Sequence, residues 1–372
     1  MLRVYSIILF VFASEIAIGQ NKGTKKIVDT DVVICADLSA STNGLITDLK
    51  ENFWQLINHH ATLTPQTNLR ISYIFYGRPS FGSKSSFVKI ATPLSNAYDS
   101  IFNVIDDLKP NIEKGDQFVE AALDQAINHI NWSTNKQALK CVFIIGNGSI
   151  MPGPGLEKLC QQANQKHITI NTIYCNSSLT EKELKWWEKL AYFGNGKSAA
   201  IHINKVLPSD GATNIKSLYK LNNSLNQTII GYGINGNTNH KLMQSIDSAS
   251  LQNNASTFAA RLIYKTAPAN NCLPWDLTCI SSLPNFNLFE LDRENLPEQF
   301  TNTSGNEMLE ILKNNREQRQ LILTQINELL EKDLVKIKTN YVVQEIVGEE
   351  GNLNRVIIKQ FVKQAIAHGS SW

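Results

Sequence analysis

The sequence predicts an α/β protein with a doubly wound, mostly parallel sheet flanked by helices, followed by a mainly α-helical C-terminal region. Three observations support this. Strand-like apolar segments alternate with helical patterns over residues 28–205, which is typical of a parallel sheet with helical crossovers. The segment "ALKCVFIIG" (138–146) is apolar at almost every position, as expected for a strand covered on both faces. From about residue 206 the strand patterns end, and helical spacing returns later in the chain.

Short apolar runs bounded by polar or turn residues predict the strands. They are residues 30–36, 69–77, 86–91, 138–146, 168–175 and 197–203. Apolar residues that recur every three or four positions predict the helices. They are residues 44–61, 96–109, 116–130, 155–166 and 181–194. In sheets of this kind, ligands bind at the carboxyl ends of the strands, where the strand order reverses.

The second half of the chain is predicted to be less regular. Residues 209–241 are rich in Asn and Gly, so we predict irregular structure with one short helix there. Ser304 and Glu307 have capping-box spacing and begin a long helix, and a last helix ends at Gly369. The predicted organisation is a signal peptide at 1–19, a linker at 20–27, the α/β domain at 28–205, an irregular or helical linker region at 206–300 and a helical C-terminal region at 301–372.

The first residues predict export. They have a basic start at Arg3, an apolar stretch and a small-residue site before Gln20, which is the pattern of a cleaved secretory signal. The alternative is a short membrane anchor, but Glu15 and the short apolar run disfavour a spanning helix. We therefore expect a periplasmic or secreted protein with no transmembrane segment after cleavage. The net charge of +2 is too small to indicate nucleic acid as a partner.

Export permits disulfide bonds among the six cysteines. Cys272 and Cys279 bracket a short Pro-containing loop and are the best candidate pair. Cys160 and Cys175 flank a helix-to-strand connection and are a second candidate pair. Cys35 and Cys141 lie in apolar strands and are expected to be buried core residues.

The functional candidates follow the first predicted strand. Asp37, Ser39 and Ser41 occupy alternate positions, so in extended chain their side chains point the same way. One carboxylate and two hydroxyls are hard oxygen ligands, which suit Mg²⁺, Mn²⁺ or Ca²⁺ better than zinc. The alternative use of the two serines, as nucleophiles, lacks an identifiable base, and we expect no enzymatic activity.

At Asp37-Leu38-Ser39-Ala40-Ser41 the sequence resembles the von Willebrand factor A (vWA) family and its Asp-x-Ser-x-Ser motif. The resemblance extends over about residues 28–205, including "EAAL" (120–123), "CVFIIGNG" (141–148) and the segment 186–203. It implies a Mg²⁺ site completed by a Thr from a later loop, by an Asp after the fourth strand and by an acidic side chain of a protein partner. This sequence departs twice, because Asp116 replaces the Thr and Asn147 replaces the Asp.

The site would still have two carboxylates, as it has in the family. We interpret Asp116 as the second carboxylate and Asn147 as an oxygen ligand. The resemblance thus implies binding of a protein or peptide ligand at a metal-ion-dependent-adhesion-type crevice. In the alternative interpretation, Asp116 caps a helix, Asn147 turns a loop and the site holds no metal. The protein would then be a metal-free scaffold whose C-terminal helices dock a partner.

The tail also resembles a group of exported bacterial proteins that carry an A domain. The shared features are "LNQTIIGYG" (225–233), Trp275-Asp276, Leu296-Pro297 and the long charged helix.

Gly231, Gly233 and Gly236 spell G-x-G-x-x-G, but the Asn-rich flanks do not fit a dinucleotide site, so we interpret the stretch as a turn. Trp186 and Trp187 are interpreted as core residues.

Overall fold

The computed structural model describes residues 28–61, 67–113, 118–150, 153–175, 181–203, 214–300, 302–346 and 353–367. The predicted signal peptide and linker, together with Asp116 and Gly369, lie outside these residues. The strands are β1 (Val28–Asp37), β2 (Thr67–Tyr76), β3 (Val88–Ile90), β4 (Leu139–Gly146), β5 (Ile168–Cys175) and β6 (Asn195–Ile201). The sheet has the order β3-β2-β1-β4-β5-β6. Only the β2–β3 pair in this sheet is antiparallel, and the predicted mostly parallel fold is confirmed.

Helices cover both faces of the sheet. They are α1 (Asn43–His60), α2 (Tyr98–Asp106), α3 (Val119–Asn128), α4 (Pro154–Gln165) and α5 (Glu181–Phe193). Val32 and Ile34 of β1 pack with α1 and α2 on one face, whereas Val33 and Cys35 pack with α3, α4 and α5 on the other. Alternate residues of a strand point to opposite faces, which is why the middle of β1, residues 32–36, is apolar at every position.

The C-terminal region is helical, as predicted, but it begins earlier than expected. Its helices are α6 (Ile215–Gln227), α7 (Gly236–Asn253), α8 (Ala255–Thr266), α9 (Leu277–Ile280), α10 (Gly305–Ile346) and α11 (Leu353–Ala367). Within 209–241 a helix is present, as predicted, but α6 is 13 residues long and α7 already begins at Gly236, so this stretch is more helical than predicted. Apolar periodicity is weak in α7 because it buries Asp247, which pairs with Lys265 at 2.7 Å and Arg261 at 3.0 Å.

The G-x-G-x-x-G stretch forms a close turn before α7. A Cβ added at Gly231 or Gly236 would lie 2.6 Å from the backbone of the other glycine, so the glycines are needed for this close approach. Gly231 also forms a β-bridge with Asp276. The carboxylate of Asp276 accepts hydrogen bonds from Arg319 Nη1 at 2.6 Å and from the amide of Thr278 at 3.1 Å. Asp276 of the Trp-Asp dipeptide therefore joins the turn at Gly231, α9 and α10.

The last helix, α11, packs back on the sheet. Leu353, Ile357 and Phe361 are buried in the same apolar cluster as Val32 of β1 and Leu49 of α1. The core of the α/β domain therefore includes a segment far beyond residue 205.

The cysteines divide as expected, with one exception. Cys272 and Cys279 form a disulfide with a Cα–Cα distance of 5.4 Å, which confirms the predicted pair. Cys160 and Cys175 are buried and free, so the second candidate pair is not formed.

None of the helices in the described part of the chain combines the length and the apolar character needed to cross a membrane.

Candidate functional site

The candidate site lies at the point where the strand order reverses. β1 is flanked by β2 on one side and β4 on the other, and Asp37 is the last residue of β1, with only 2% of its surface exposed. The flanking strands leave room for its carboxylate because glycines follow or end them. A Cβ added at Gly77 would lie 2.3 Å from Asp37 Oδ1, and one added at Gly146 would lie 2.9 Å from Asp37 Cβ.

The loop after β1 brings the two serines to the carboxylate. Ser39 is extended, with φ −64° and ψ 166°, and its backbone N–H donates to Asp37 Oδ1 at 2.8 Å. The hydroxyl oxygens of Ser39 and Ser41 lie 2.9 Å apart. Thr42 Oγ1 donates to the carbonyls of Asp37 at 2.8 Å and Ser39 at 3.0 Å, which holds this short loop in one conformation.

Asn147 joins the same cluster from the neighbouring strand. It follows β4 directly, and its side-chain Oδ1 accepts a hydrogen bond from Ser41 Oγ at 3.2 Å. Its Nδ2 donates to the Ser41 carbonyl at 3.4 Å, and its backbone amide helps to lower the pKa of the Asp37 carboxyl. The structure therefore brings Asp37, Ser39, Ser41 and Asn147 together. Asp116, the fifth predicted ligand, lies outside the described residues.

The chain that leads towards residue 116 is anchored to the site loop. The carbonyl of Glu113 accepts from the Ala40 amide at 2.9 Å. Asn43 and Asn111 exchange hydrogen bonds at 2.7 and 3.1 Å. Ser80 N–H donates to Glu113 Oε2 at 2.8 Å. Residues up to Glu113 are thereby held beside the first turn of α1.

The electrostatics of the site favour an added positive charge. Burial raises the pKa of Asp37 to about 6, and the hydrogen bonds from Ser39 and Asn147 and the charge of Arg78 offset only part of that effect. The Arg78 guanidinium donates to the carbonyls of Leu38 at 2.7 Å and Lys109 at 2.8 Å. The guanidinium therefore binds backbone oxygens of two loops. A cation bound at Asp37 would further stabilise the ionised carboxylate.

The donor set fits a hard cation. Asp37, Ser39, Ser41 and Asn147 offer a carboxylate, two hydroxyls and an amide oxygen, which are ligands of Mg²⁺, Mn²⁺ and Ca²⁺. Over the residues that the structure describes, no group of three or more His, Cys, Asp or Glu side chains is arranged to hold a metal ion. Among the described residues, the site therefore offers one carboxylate, that of Asp37, and otherwise neutral oxygens. Such a set suits an ion that keeps several of its waters.

Sequence reasoning identified four members of this cluster but missed its support. Gly77, at φ +88°, and Arg78 follow β2. Gly77 leaves space for the Asp37 carboxylate, and the charge of Arg78 lowers the pKa of Asp37. The only sequence signal was a glycine at the end of a predicted strand beside the first one. The contacts of α5 with the loop that carries Asn147 were also missed, because nothing in the local sequence pairs these segments.

No protein-family model matches the chain, and no curated protein matches it. Solved structures with some likeness exist. An aerotolerance-related membrane protein from Bacteroides fragilis is 15% identical, with a TM-score of 0.34, over 46% of this chain and 91% of that one. BatB from Bacteroides thetaiotaomicron is 14% identical, with a TM-score of 0.37, over 46% of this chain and 90% of that one.

A third likeness is to proximal thread matrix protein 1 of the mussel byssus, in a structure described as having a zinc-occupied MIDAS motif. It is 14% identical, with a TM-score of 0.36, over 48% of this chain and 43% of that one. Scores this low assign neither a family nor a ligand. The likeness of this chain to the vWA family therefore remains a resemblance carried by its Asp-x-Ser-x-Ser motif and by its doubly wound sheet.

Proposed function

We propose that this chain is an exported binding protein that takes a protein or peptide ligand at the crevice around Asp37, with the help of a divalent cation. Asp37, Ser39, Ser41 and Asn147 would hold Mg²⁺, or Mn²⁺ or Ca²⁺ in its place, and Asp116 would add a second carboxylate. An acidic side chain of the partner would complete the coordination. The protein performs no catalysis in this proposal.

One observation carries the proposal. Four oxygen-bearing side chains from two adjacent strand ends are joined by hydrogen bonds at the reversal of strand order, with Ser39 and Ser41 hydroxyls 2.9 Å apart and Ser41 Oγ 3.2 Å from Asn147 Oδ1. Doubly wound sheets bind their ligands at this edge. A 3₁₀ turn (Ala40–Thr42) leads directly into α1, and the backbone amides at the start of this helix favour an anionic group of the partner.

The metal part of the proposal is tested on the chelator-treated full chain by thermal unfolding and by titration calorimetry with Mg²⁺ and Mn²⁺. A cation that binds the folded state stabilises it by about 2.7 kcal/mol at a hundredfold excess over Kd. We expect such a shift for the wild type and its loss in Asp37→Asn, which keeps the shape of the side chain and removes the charge.

Asp48→Asn is the matched control. Asp48 lies on α1, and burial raises its pKa as well, to about 7, but it is not part of the oxygen cluster. This variant should bind metal as the wild type does. A wild type that neither binds metal nor gains stability at millimolar Mg²⁺ and Mn²⁺ would reject the cation-assisted function. So would an Asp37→Asn variant that keeps full affinity.

The scaffold alternative makes a different prediction for partner binding. It places the partner on the C-terminal helices, where Leu309 and Leu321 of α10 are exposed by 44% and 67%. Because α11 is part of the sheet core, the full chain must be used and not residues 206–372 alone. A captured partner that is lost in Leu321→Lys and retained in Asp37→Asn would favour the scaffold.

A further inference from the structure

The loop that carries Asn147 is held from two sides. On the site side, Asn147 contacts Ser41 and Asp37, as described above. On the other side, the two residues that follow it are bound to α5. The indole N–H of Trp187 donates to the Gly148 carbonyl at 2.8 Å. Ser149 Oγ donates to Glu183 Oε1 at 3.3 Å.

Trp187 is a rigid support. Its side chain is fully buried, and its ring meets the ring of Tyr174 edge to face at 5.7 Å. Its own carbonyl accepts from Thr172 Oγ1 at 2.9 Å. Both partners belong to β5, so Trp187 is held by a strand of the sheet through its ring and its backbone, and not only by its own helix.

The residue that Trp187 holds is a glycine with wide conformational freedom. Gly148 has φ +81°, a region that glycine enters easily and leaves just as easily. Rotation about the backbone of Gly148 would move Asn147 relative to the β1 loop. A donor that fixes the Gly148 carbonyl therefore selects the one loop conformation in which Asn147 meets both Ser41 and Asp37.

We propose that Trp187 is a positioning residue of the cation site and acts through the Gly148 carbonyl on Asn147. The inference rests on the proposed function, since it concerns the affinity of the same site. It also separates two roles of one side chain: the ring fills the core, and the N–H sets the geometry of a ligand that it does not touch.

The variant Trp187→Phe separates these roles, because it keeps an aromatic ring in the core and removes the N–H donor. Trp186→Phe is the matched control: Trp186 is the adjacent residue on α5, is partly exposed and lies beside Lys189. Mn²⁺ affinity is measured by calorimetry on the full chain, and the melting temperature is measured without metal.

We expect Trp187→Phe to weaken Mn²⁺ binding by about fivefold to tenfold, as follows from the loss of one neutral hydrogen bond. Trp186→Phe should stay within about twofold of the wild type. A Trp187→Phe variant that folds and binds within twofold of the wild type would overturn the inference and leave the proposed function standing. Equal losses in both variants would also overturn it.

A second measurement needs no variant and covers the case in which Trp187→Phe does not fold. The indole N–H resonance of Trp187, assigned through its contact with the Tyr174 ring, is followed while Mg²⁺ is added to the wild type. We expect it to shift with the same midpoint as calorimetric binding, and we expect the resonance of Trp186 to stay in place. An unmoved Trp187 resonance in a protein that binds Mg²⁺ would contradict the positioning role. A wild type that binds no metal would overturn both proposals.

Discussion

The replacement Gly77→Ala examines how closely the backbone of β2 approaches the site. A Cβ at this position would lie 2.3 Å from Asp37 Oδ1 and 3.3 Å from Asp37 Cγ. Since no Cβ can approach an oxygen that closely, the carboxylate must turn away and lose its 2.8 Å hydrogen bond from the Ser39 amide. Hydrogen bonds to charged groups contribute about 1.5–3 kcal/mol.

The replacement also strains the backbone, because Gly77 has φ +88°, and a side chain in that region costs about 1–3 kcal/mol. Gly82→Ala supplies a control for this cost alone. Gly82 has φ +85°, and nothing lies within 4 Å of the Cβ that the variant would add. The difference between the two variants therefore isolates the displacement of Asp37.

The assay is urea unfolding in chelator and again in excess Mn²⁺. Without metal, Gly77→Ala should lose about 1.5–3 kcal/mol more of the free energy of unfolding than Gly82→Ala. In excess Mn²⁺ only Gly82→Ala should recover the stabilisation seen in the wild type. Equal losses in chelator and equal recovery in Mn²⁺ would refute the placement of Asp37 against Gly77.

Three further predictions concern single carboxylates. Asn147→Asp adds a second charge beside Asp37, so calorimetry should show Mn²⁺ binding tighter on the order of tenfold, with a lower melting temperature in chelator; weaker binding would contradict the ligand role. Burial raises the pKa of Asp48 to about 7, so the folded state holds its proton more tightly than the unfolded state does. The contribution of Asp48 to stability should therefore fall as pH rises from about 4 to 7, by less than about 4 kcal/mol. Burial also raises the pKa of Asp37, to about 6, so Asp48→Asn should reduce the slope in urea unfolding without abolishing it. Asp276→Asn leaves the buried Arg319 without its charged partner and should cost about 3–5 kcal/mol in the same assay; a loss below 1 kcal/mol would argue against the buried pair.

The central fold was predictable because local and global signals agree there. Helices cover both faces of the sheet, so the apolar runs 32–36 of β1 and 141–145 of β4 are the pattern expected of its inner strands. Asp37, Ser39 and Ser41 lie together as predicted, but of the two serines only Ser39 is extended. Ser41 lies in a short 3₁₀ turn (Ala40–Thr42), and not in the extended chain from which its side-chain direction was predicted. Asn147 was predicted through the resemblance to the vWA family, and it reaches the cluster because it directly follows β4, the strand beside β1.

The rest depends on contacts between distant segments. α7 was not predicted because it buries Asp247 against Lys265 and Arg261. Buried charged residues interrupt the apolar spacing of three or four residues from which a helix is predicted. The return of α11 to the sheet could not be inferred, because an amphipathic helix does not specify which surface it covers. The support of the Asn147 loop by Trp187 joins segments about forty residues apart, and it has no signature in either one.

The most direct test of the central claim is anomalous diffraction from crystals of the full chain soaked in Mn²⁺. The account predicts one manganese peak at the carboxyl edge of the sheet, within coordination distance of oxygens from Asp37, Ser39, Ser41 and Asn147. Data from a wild-type crystal at millimolar Mn²⁺ that show no peak there, or place the ion away from Asp37, would contradict it.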